Sequence, residues 1–154
     1  MEFFNKYKGV SLIIDDSLLN KLEQIGIQSF PNECGGFLIG YYSEDFMKLY
    51  ITDYLLPIKQ QGFTHLFERS IEGISHLFKA LFTSKKHYYI GEWHTHPNGS
   101  SMYSQTDLNA MKQIAECDTV TITNPVLLIL SIGREKMKDL SIYIFDNKGL
   151  YRYE

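Results

Sequence analysis

Two histidines one residue apart, followed by an aspartate at the start of a predicted helix, are the residues of this sequence best suited to chemistry. They are His94, His96 and Asp107, in the stretch GEWHTHPNGSSMYSQTDLNAM. Side chains two apart on a strand point to the same face, so both imidazoles can approach one ion, and Glu92 shares their parity. Two histidines and one carboxylate leave a fourth tetrahedral position open, which is typical of a catalytic zinc site.

Asp107 also fits a purely structural role. Ser104 and Asp107 stand three positions apart and resemble a capping box, with Ser104 as the N-cap and Asp107 at the third helical position. For this pair alone the pattern favours capping. A carboxylate bound to zinc is not expected to turn fully back to the N-cap amide as well, so the two roles compete.

A second carboxylate lies far away in the sequence. Glu33, in PNECGGFLIG, precedes a Gly-Gly pair at the start of a predicted strand, where missing side chains allow close backbone approach. Alone, Glu33 would be a solvated loop residue, but beside a zinc-bound water it would be a general base. The adjacent Cys34 raises a thiol nucleophile as an alternative, yet no partner pattern accompanies it, and a buried structural cysteine is favoured.

The elements that must position these residues follow from hydrophobic periodicity and turn residues. Helices alternate with paired strands, which favours one domain over residues 1–154 with an α/β fold: a mixed, largely antiparallel sheet flanked by helices. The strand order is not predicted. The predicted elements are a strand from Val10 to Ile14, a helix capped near Asp15 and ending at Gly26, a hairpin from Gly36 to Pro57 turning at Ser43 to Asp45, a helix capped by Ser70, a strand closed by Pro97, a helix carrying Leu108 and Met111, and the strands VLLILSI and LSIYIFD.

Composition excludes several classes of protein. The 154 residues carry a formal net charge of -3 with no basic stripe, so nucleic acid is not an expected partner. The sequence contains two cysteines, no N-terminal apolar leader and no apolar run of about 18 residues. We therefore expect a cytoplasmic protein that lacks disulfides and membrane spans.

Taken together, the motifs resemble a known family. Glu33 followed by CGGFLIG, then His94-x-His96-Pro97, Ser104 and Asp107 match the JAMM signature of the JAB/MPN metalloproteases in order and spacing. The resemblance runs from Val10 to Phe145. The stretch GEWHTHPNG is similar to that of compact bacterial JAB proteins encoded beside ubiquitin-like conjugation enzymes in antiphage operons.

The resemblance implies a cofactor and a role for each residue. His94, His96 and Asp107 would hold one Zn²⁺ per chain, with a water as the fourth ligand. Glu33 would act as the general base, and Ser104 would donate a hydrogen bond to the oxyanion.

The resemblance also implies a substrate. Members of the family act on the C-terminal tail of a ubiquitin-like protein or on its conjugates, so associated activating and conjugating enzymes are expected partners. The segment Gln60 to Arg69 is either one wall of the groove for that tail or an ordinary surface loop, and the loop is slightly favoured. A peptidase that matures a sulfur-carrier protein stays open as an alternative. The helices between the strands speak against a non-haem iron oxygenase, and the complete residue set speaks against a non-catalytic scaffold.

Overall fold

The computed structural model describes residues 1–58, 75–117 and 122–154, and its eight strands form one sheet. The strand order is β1-β2-β4-β3-β5-β6-β7-β8. The element bounds are β1 Glu2–Asn5, β2 Val10–Ile14, α1 Asp16–Ser29, β3 Gly35–Tyr42, β4 Lys48–Leu55, α2 Ser75–Lys85, β5 Tyr88–Pro97, α3 Gln105–Glu116, β6 Val126–Ile132, β7 Met137–Asp146 and β8 Gly149–Arg152.

The sheet is mixed and mainly antiparallel, which confirms the predicted fold class. Five of its seven strand pairs are antiparallel. The two parallel pairs are β2 with β4 and β5 with β6. The strand that carries the two histidines therefore lies in the middle of the sheet, between antiparallel β3 and parallel β6.

One face of the sheet packs on α1. Leu18, Leu19 and Leu22 join a buried cluster with residues of six strands. The helix was predicted to end at Gly26, and this is wrong, because α1 continues to Ser29. Gly26 instead permits close packing: a Cβ there would lie 3.0 Å from side-chain carbons of both Ile132 and Thr95.

The opposite face packs on α2 and α3. Met111 and Ile114 of α3 and the partly buried Phe78 of α2 contact a second cluster that includes Phe37 and Tyr143. The predicted cap of the second helix, Ser70, and the segment Gln60 to Arg69 lie outside the described residues.

A β-bulge interrupts β5 just before the histidines. Tyr89 pairs with Ile39 and Gly91 pairs with Leu38, so Ile90 is the extra residue on β5. Gly91 cannot be replaced without moving the backbone, because a Cβ there would lie 1.9 Å from the Val126 carbonyl oxygen. The bulge therefore depends on a glycine at this position.

Two strands were not predicted, β1 and β8, and they lie at the two ends of the sheet. The backbones of Phe4 and Glu154 exchange two hydrogen bonds of 2.8 and 3.0 Å, which join the two ends of the sheet. The fully buried Asn5 supports this seam by donating to the Tyr151 and Arg152 carbonyls, and it accepts from the Lys8 amide.

Candidate functional site: a two-histidine, one-aspartate cluster

His94, His96 and Asp107 come together at the end of β5 and the start of α3, as the spacing predicted. Their possible ligand atoms all lie within 4.8 Å of one another. The two histidine Nε2 atoms are 3.0 Å apart, and Asp107 Oδ1 lies 3.3 Å from His94 Nε2. Thr95 packs toward Gly26 of α1, so both histidines face the opposite side of the sheet.

These distances fit a single metal ion. A tetrahedral zinc with ligand bonds of about 2.0–2.1 Å would hold its donor atoms about 3.3–3.4 Å apart. Asp107 Oδ2 lies somewhat farther, 3.8 Å from His96 Nε2. Burial lowers the pKa of His94 to about 4, against the opposing effect of the Asp107 charge. His94 is therefore neutral near pH 7, the form in which an imidazole binds a metal.

The other ring nitrogen of His96 has a partner in the loop that follows β5. His96 Nδ1 lies 2.7 Å from the Ser100 carbonyl oxygen. A carbonyl only accepts hydrogen bonds, so Nδ1 carries the proton, and the Nε2 lone pair is directed to the cluster. Such a bond to the second nitrogen is usual for metal-binding histidines, and no pattern in the sequence indicated which group would supply it.

Asp107 completes the predicted helix cap and also faces the histidines. Its Oδ2 accepts from the Ser104 amide at 2.6 Å and from the Ser104 hydroxyl at 2.7 Å, and Ser104 Oγ accepts in turn from the Asp107 amide. This is a complete capping box. Its Oδ1 faces His94. The cap therefore engages Oδ2 and leaves Oδ1 turned toward His94.

Glu33 lies two residues before β3, the strand that pairs with the strand of the two histidines. Gly35 pairs with His94, and the Cys34 carbonyl accepts from the Thr95 amide at 2.8 Å. Glu33 precedes Cys34, so its backbone is one residue away from this contact with the histidine strand. The Glu33 side chain is exposed, at the point where β3 begins.

Two further residues near the site are buried. Cys34 is fully buried, with Sγ 3.8 Å from the Ile25 carbonyl oxygen, which agrees with the structural role favoured for it. Glu92 is 9% exposed, and burial raises the pKa of its carboxyl group to about 8. Within the described part of the chain, Glu92 Oε1 has no hydrogen-bond partner.

Comparison with known proteins assigns the family. The family described as prokaryotic homologs of the JAB domain matches residues 16–143. The chain belongs to this prokaryotic JAB family. The match covers the whole of the site, from Glu33 to Asp107, and confirms the family resemblance of the sequence motifs.

One relative of this JAB protein carries a functional name. That relative is a CD-NTase/cGAS isopeptidase of Enterobacter hormaechei subsp. hoffmannii. This chain is 32% identical to it over 121 residues, and the match covers 78% of this chain and 67% of the relative.

Two solved structures share the fold of this JAB protein. Protein DSY2949 of Desulfitobacterium hafniense has a TM-score of 0.66 at 15% identity, covering 92% of this chain and 88% of its own. A protein of Salinibacter ruber has a TM-score of 0.59 at 17% identity, covering 92% of this chain and 87% of its own.

None of the helices in residues 1–58, 75–117 and 122–154 combines the length and apolar character needed to cross a membrane.

Proposed function

We propose that this JAB protein is a zinc-dependent isopeptidase that cleaves after the C-terminal tail of a ubiquitin-like protein. The observation that carries the proposal is the cluster of His94, His96 and Asp107, with donor spacings at His94 that suit zinc. Glu33 lies two residues before Gly35, which pairs with His94. Membership in the prokaryotic JAB family and 32% identity to an isopeptidase support hydrolysis of an amide bond.

The proposed mechanism gives each residue a separate task. His94 and His96 would offer ring nitrogens to the ion, and Asp107 would offer Oδ1 while its Oδ2 stays bonded to Ser104. Zinc, when bound there, would supply a Lewis acid and a water of lowered pKa. Glu33 would take a proton from the attacking water and deliver it to the leaving amine.

Ser104 is proposed to donate a hydrogen bond to the oxyanion that forms at the scissile carbonyl. Its hydroxyl hydrogen is directed at Asp107 Oδ2 in this structure. Donation to the substrate therefore requires the hydroxyl to turn from the Asp107 carboxylate toward the oxygen of the scissile carbonyl.

The relative's name suggests which conjugates this protein acts on. Because that relative is named a CD-NTase/cGAS isopeptidase, we propose that a CD-NTase/cGAS protein joined to a ubiquitin-like protein is the substrate here. In this proposal the isopeptidase works with the activating and conjugating enzymes of an antiphage system, in the cytoplasm.

The proposal is tested with Glu33→Gln, which keeps the shape of the side chain and removes its basicity. We expect this variant to retain about one zinc per chain and to lose hydrolysis by about 10²- to 10⁴-fold. Glu44→Gln makes the same chemical change at an exposed turn residue and serves as the matched control. Full activity of Glu33→Gln would remove Glu33 as the base.

The same variant identifies the substrate. Zinc-loaded Glu33→Gln is used to capture proteins from the native host, and the captured chains are identified by mass spectrometry. Capture of a ubiquitin-like protein attached to a larger target supports deconjugation. Capture of a small sulfur carrier alone, with residues beyond its terminal glycines, would replace the proposal with a maturation peptidase.

A further inference from the structure

Buried serines hold the loop between β5 and α3 against the sheet. Ser101 of the loop, Ser131 of β6 and Ser141 of β7 are 1%, 2% and 2% exposed. Hydroxyl groups buried to this degree need hydrogen-bond partners, because an unpaired one costs stability. Each of the three has a partner, and these partners connect the loop to β6, which lies next to β5, and to β7, which lies next to β6.

The loop lies across one row of paired strand positions. His96 pairs with Ser131 on β6, and Ser131 pairs with Asp139 on β7. Ser131 Oγ donates to the Gly99 carbonyl at 2.5 Å, and Ser101 Oγ donates to Asp139 Oδ2 at 2.5 Å. The loop is thus fixed to the sheet one residue before and one residue after Ser100.

The order of donors in this network follows from the count of hydrogens. Ser101 Oγ lies 2.7 Å from Ser141 Oγ, but its single hydrogen is already given to Asp139. Ser141 must therefore donate to Ser101, and the chain of bonds ends on the Asp139 carboxylate. The bond from Ser101 holds the pKa of the Asp139 carboxyl below its usual value, so the acceptor is charged near pH 7.

Ser100, held between these two anchors, is the residue whose carbonyl accepts from His96 Nδ1 at 2.7 Å. We propose that Asp139 and Ser101 are positioning residues for the metal site: they hold the Ser100 carbonyl where it fixes the tautomer and orientation of His96. This inference rests on the proposed function, because the orientation of His96 matters for metal binding only if the cluster binds zinc.

The test replaces Asp139, whose side chain lies at the surface, so that the variants fold. Asp139→Ala removes the acceptor of the Ser101 hydroxyl, whereas Asp139→Asn keeps a carbonyl oxygen to accept it. Glu135→Ala removes one negative charge from the same hairpin and is the matched control. Metal-free protein with ¹⁵N-labelled histidine reports the His96 tautomer by NMR at pH 8, and competition with a chromophoric chelator reports the zinc affinity.

We expect the wild-type protein, Asp139→Asn and Glu135→Ala to keep the proton of His96 on Nδ1. Asp139→Ala should give a mixture of tautomers and bind zinc about tenfold more weakly, the lower end of the effect of losing an outer hydrogen bond at a metal site.

Two results would overturn the inference. One is Asp139→Ala with an unchanged tautomer and a zinc affinity equal to that of Glu135→Ala. The other is an equal loss in Asp139→Ala and Asp139→Asn, which would make the effect one of charge. If the tautomer responds as expected but the wild-type protein binds no zinc, the positioning role stands and the proposed zinc enzyme does not.

Discussion

Asp107 joins a helix cap to a candidate metal ligand, and one substitution should separate the two roles. In Asp107→Asn the single carbonyl oxygen can take the place of Oδ2 and accept from the Ser104 amide, as the carboxylate does at 2.6 Å. The amide nitrogen then occupies the place of Oδ1, 3.3 Å from His94 Nε2, and a protonated amide nitrogen does not bind zinc. Asp107→Ala removes both roles.

The expected magnitudes follow from the hydrogen bonds that each variant removes. Asp107→Ala keeps the bond from its own amide to Ser104 Oγ, so only the return half of the capping box is lost. We therefore expect the free energy of unfolding of the metal-free protein to fall by about 0.5–1 kcal/mol, the lower part of the range for a cap. Asp107→Asn should stay within about 0.5 kcal/mol of the wild-type value. Free zinc at 100 times its dissociation constant stabilises a one-site protein by about 2.7 kcal/mol, and both variants should lose this gain.

The assay is urea denaturation in the presence of a chelator and again in excess zinc, with bound zinc measured in parallel. Stoichiometric zinc in Asp107→Asn would refute Asp107 as a ligand. Equal stability of the two metal-free variants would refute its contribution to the cap. Because the two measurements are independent, neither result can be mistaken for the other.

Three predictions concern the scaffold. Gly26→Ala should lower the free energy of unfolding by up to about 2 kcal/mol in chemical denaturation, because the added methyl group would crowd Ile132 and Thr95 by more than the gain in helix propensity offsets. Higher stability of this variant would show that α1 can move away from the sheet. Asn5→Ala should cost about 1–3 kcal/mol in the same assay by leaving groups of the seam unpaired, whereas Lys6→Ala, which breaks an exposed ion pair with Glu154, should cost less than about 1 kcal/mol. Burial raises the pKa of Tyr42 to about 12, above the value of about 10 in the unfolded chain. The stability contributed by this shift is complete below pH 10 and is lost as the pH rises from 10 to 12, because the unfolded chain then ionises more readily. Between pH 9 and pH 11, the free energy of unfolding of Tyr42→Phe should therefore fall by about 1.4 kcal/mol less than that of the wild-type protein. An equal fall in both proteins would contradict the raised pKa.

The sequence predicted the parts of this structure that depend on local pattern. His94 and His96 share a face because of strand alternation, and Asp107 lies in the first turn of a helix that Ser104 caps. The strand bounds Val10–Ile14 and Val126–Ile132 were also predicted, because both runs are apolar and end at turn residues.

What could not be predicted depends on residues far apart in the sequence. The outer strands β1 and β8 are short, and the backbones of Phe4 and Glu154 join them from opposite ends of the chain. The anchors of the loop, Ser131 and Asp139, take their role from the lateral order of β5, β6 and β7, which periodicity does not reveal. Gly26 looked like a helix end, but its role is set by the side chains across from it.

The bulge at Gly91 determines which side chains of β5 face Asp107. Ile90 and Trp93 both belong to the cluster packed on α1, although three positions separate them. Strict alternation from Ile90 onward would send Trp93 to the outer face and turn His94 inward. Because the bulge adds one residue to β5, the alternation of side chains shifts by one position. Ile90 and Trp93 therefore both face α1, and His94 and His96 face the opposite side of the sheet. A larger residue in place of Gly91 would disturb the two-histidine, one-aspartate cluster without contacting any of its side chains, since a slip of one position would exchange the histidines for their neighbours.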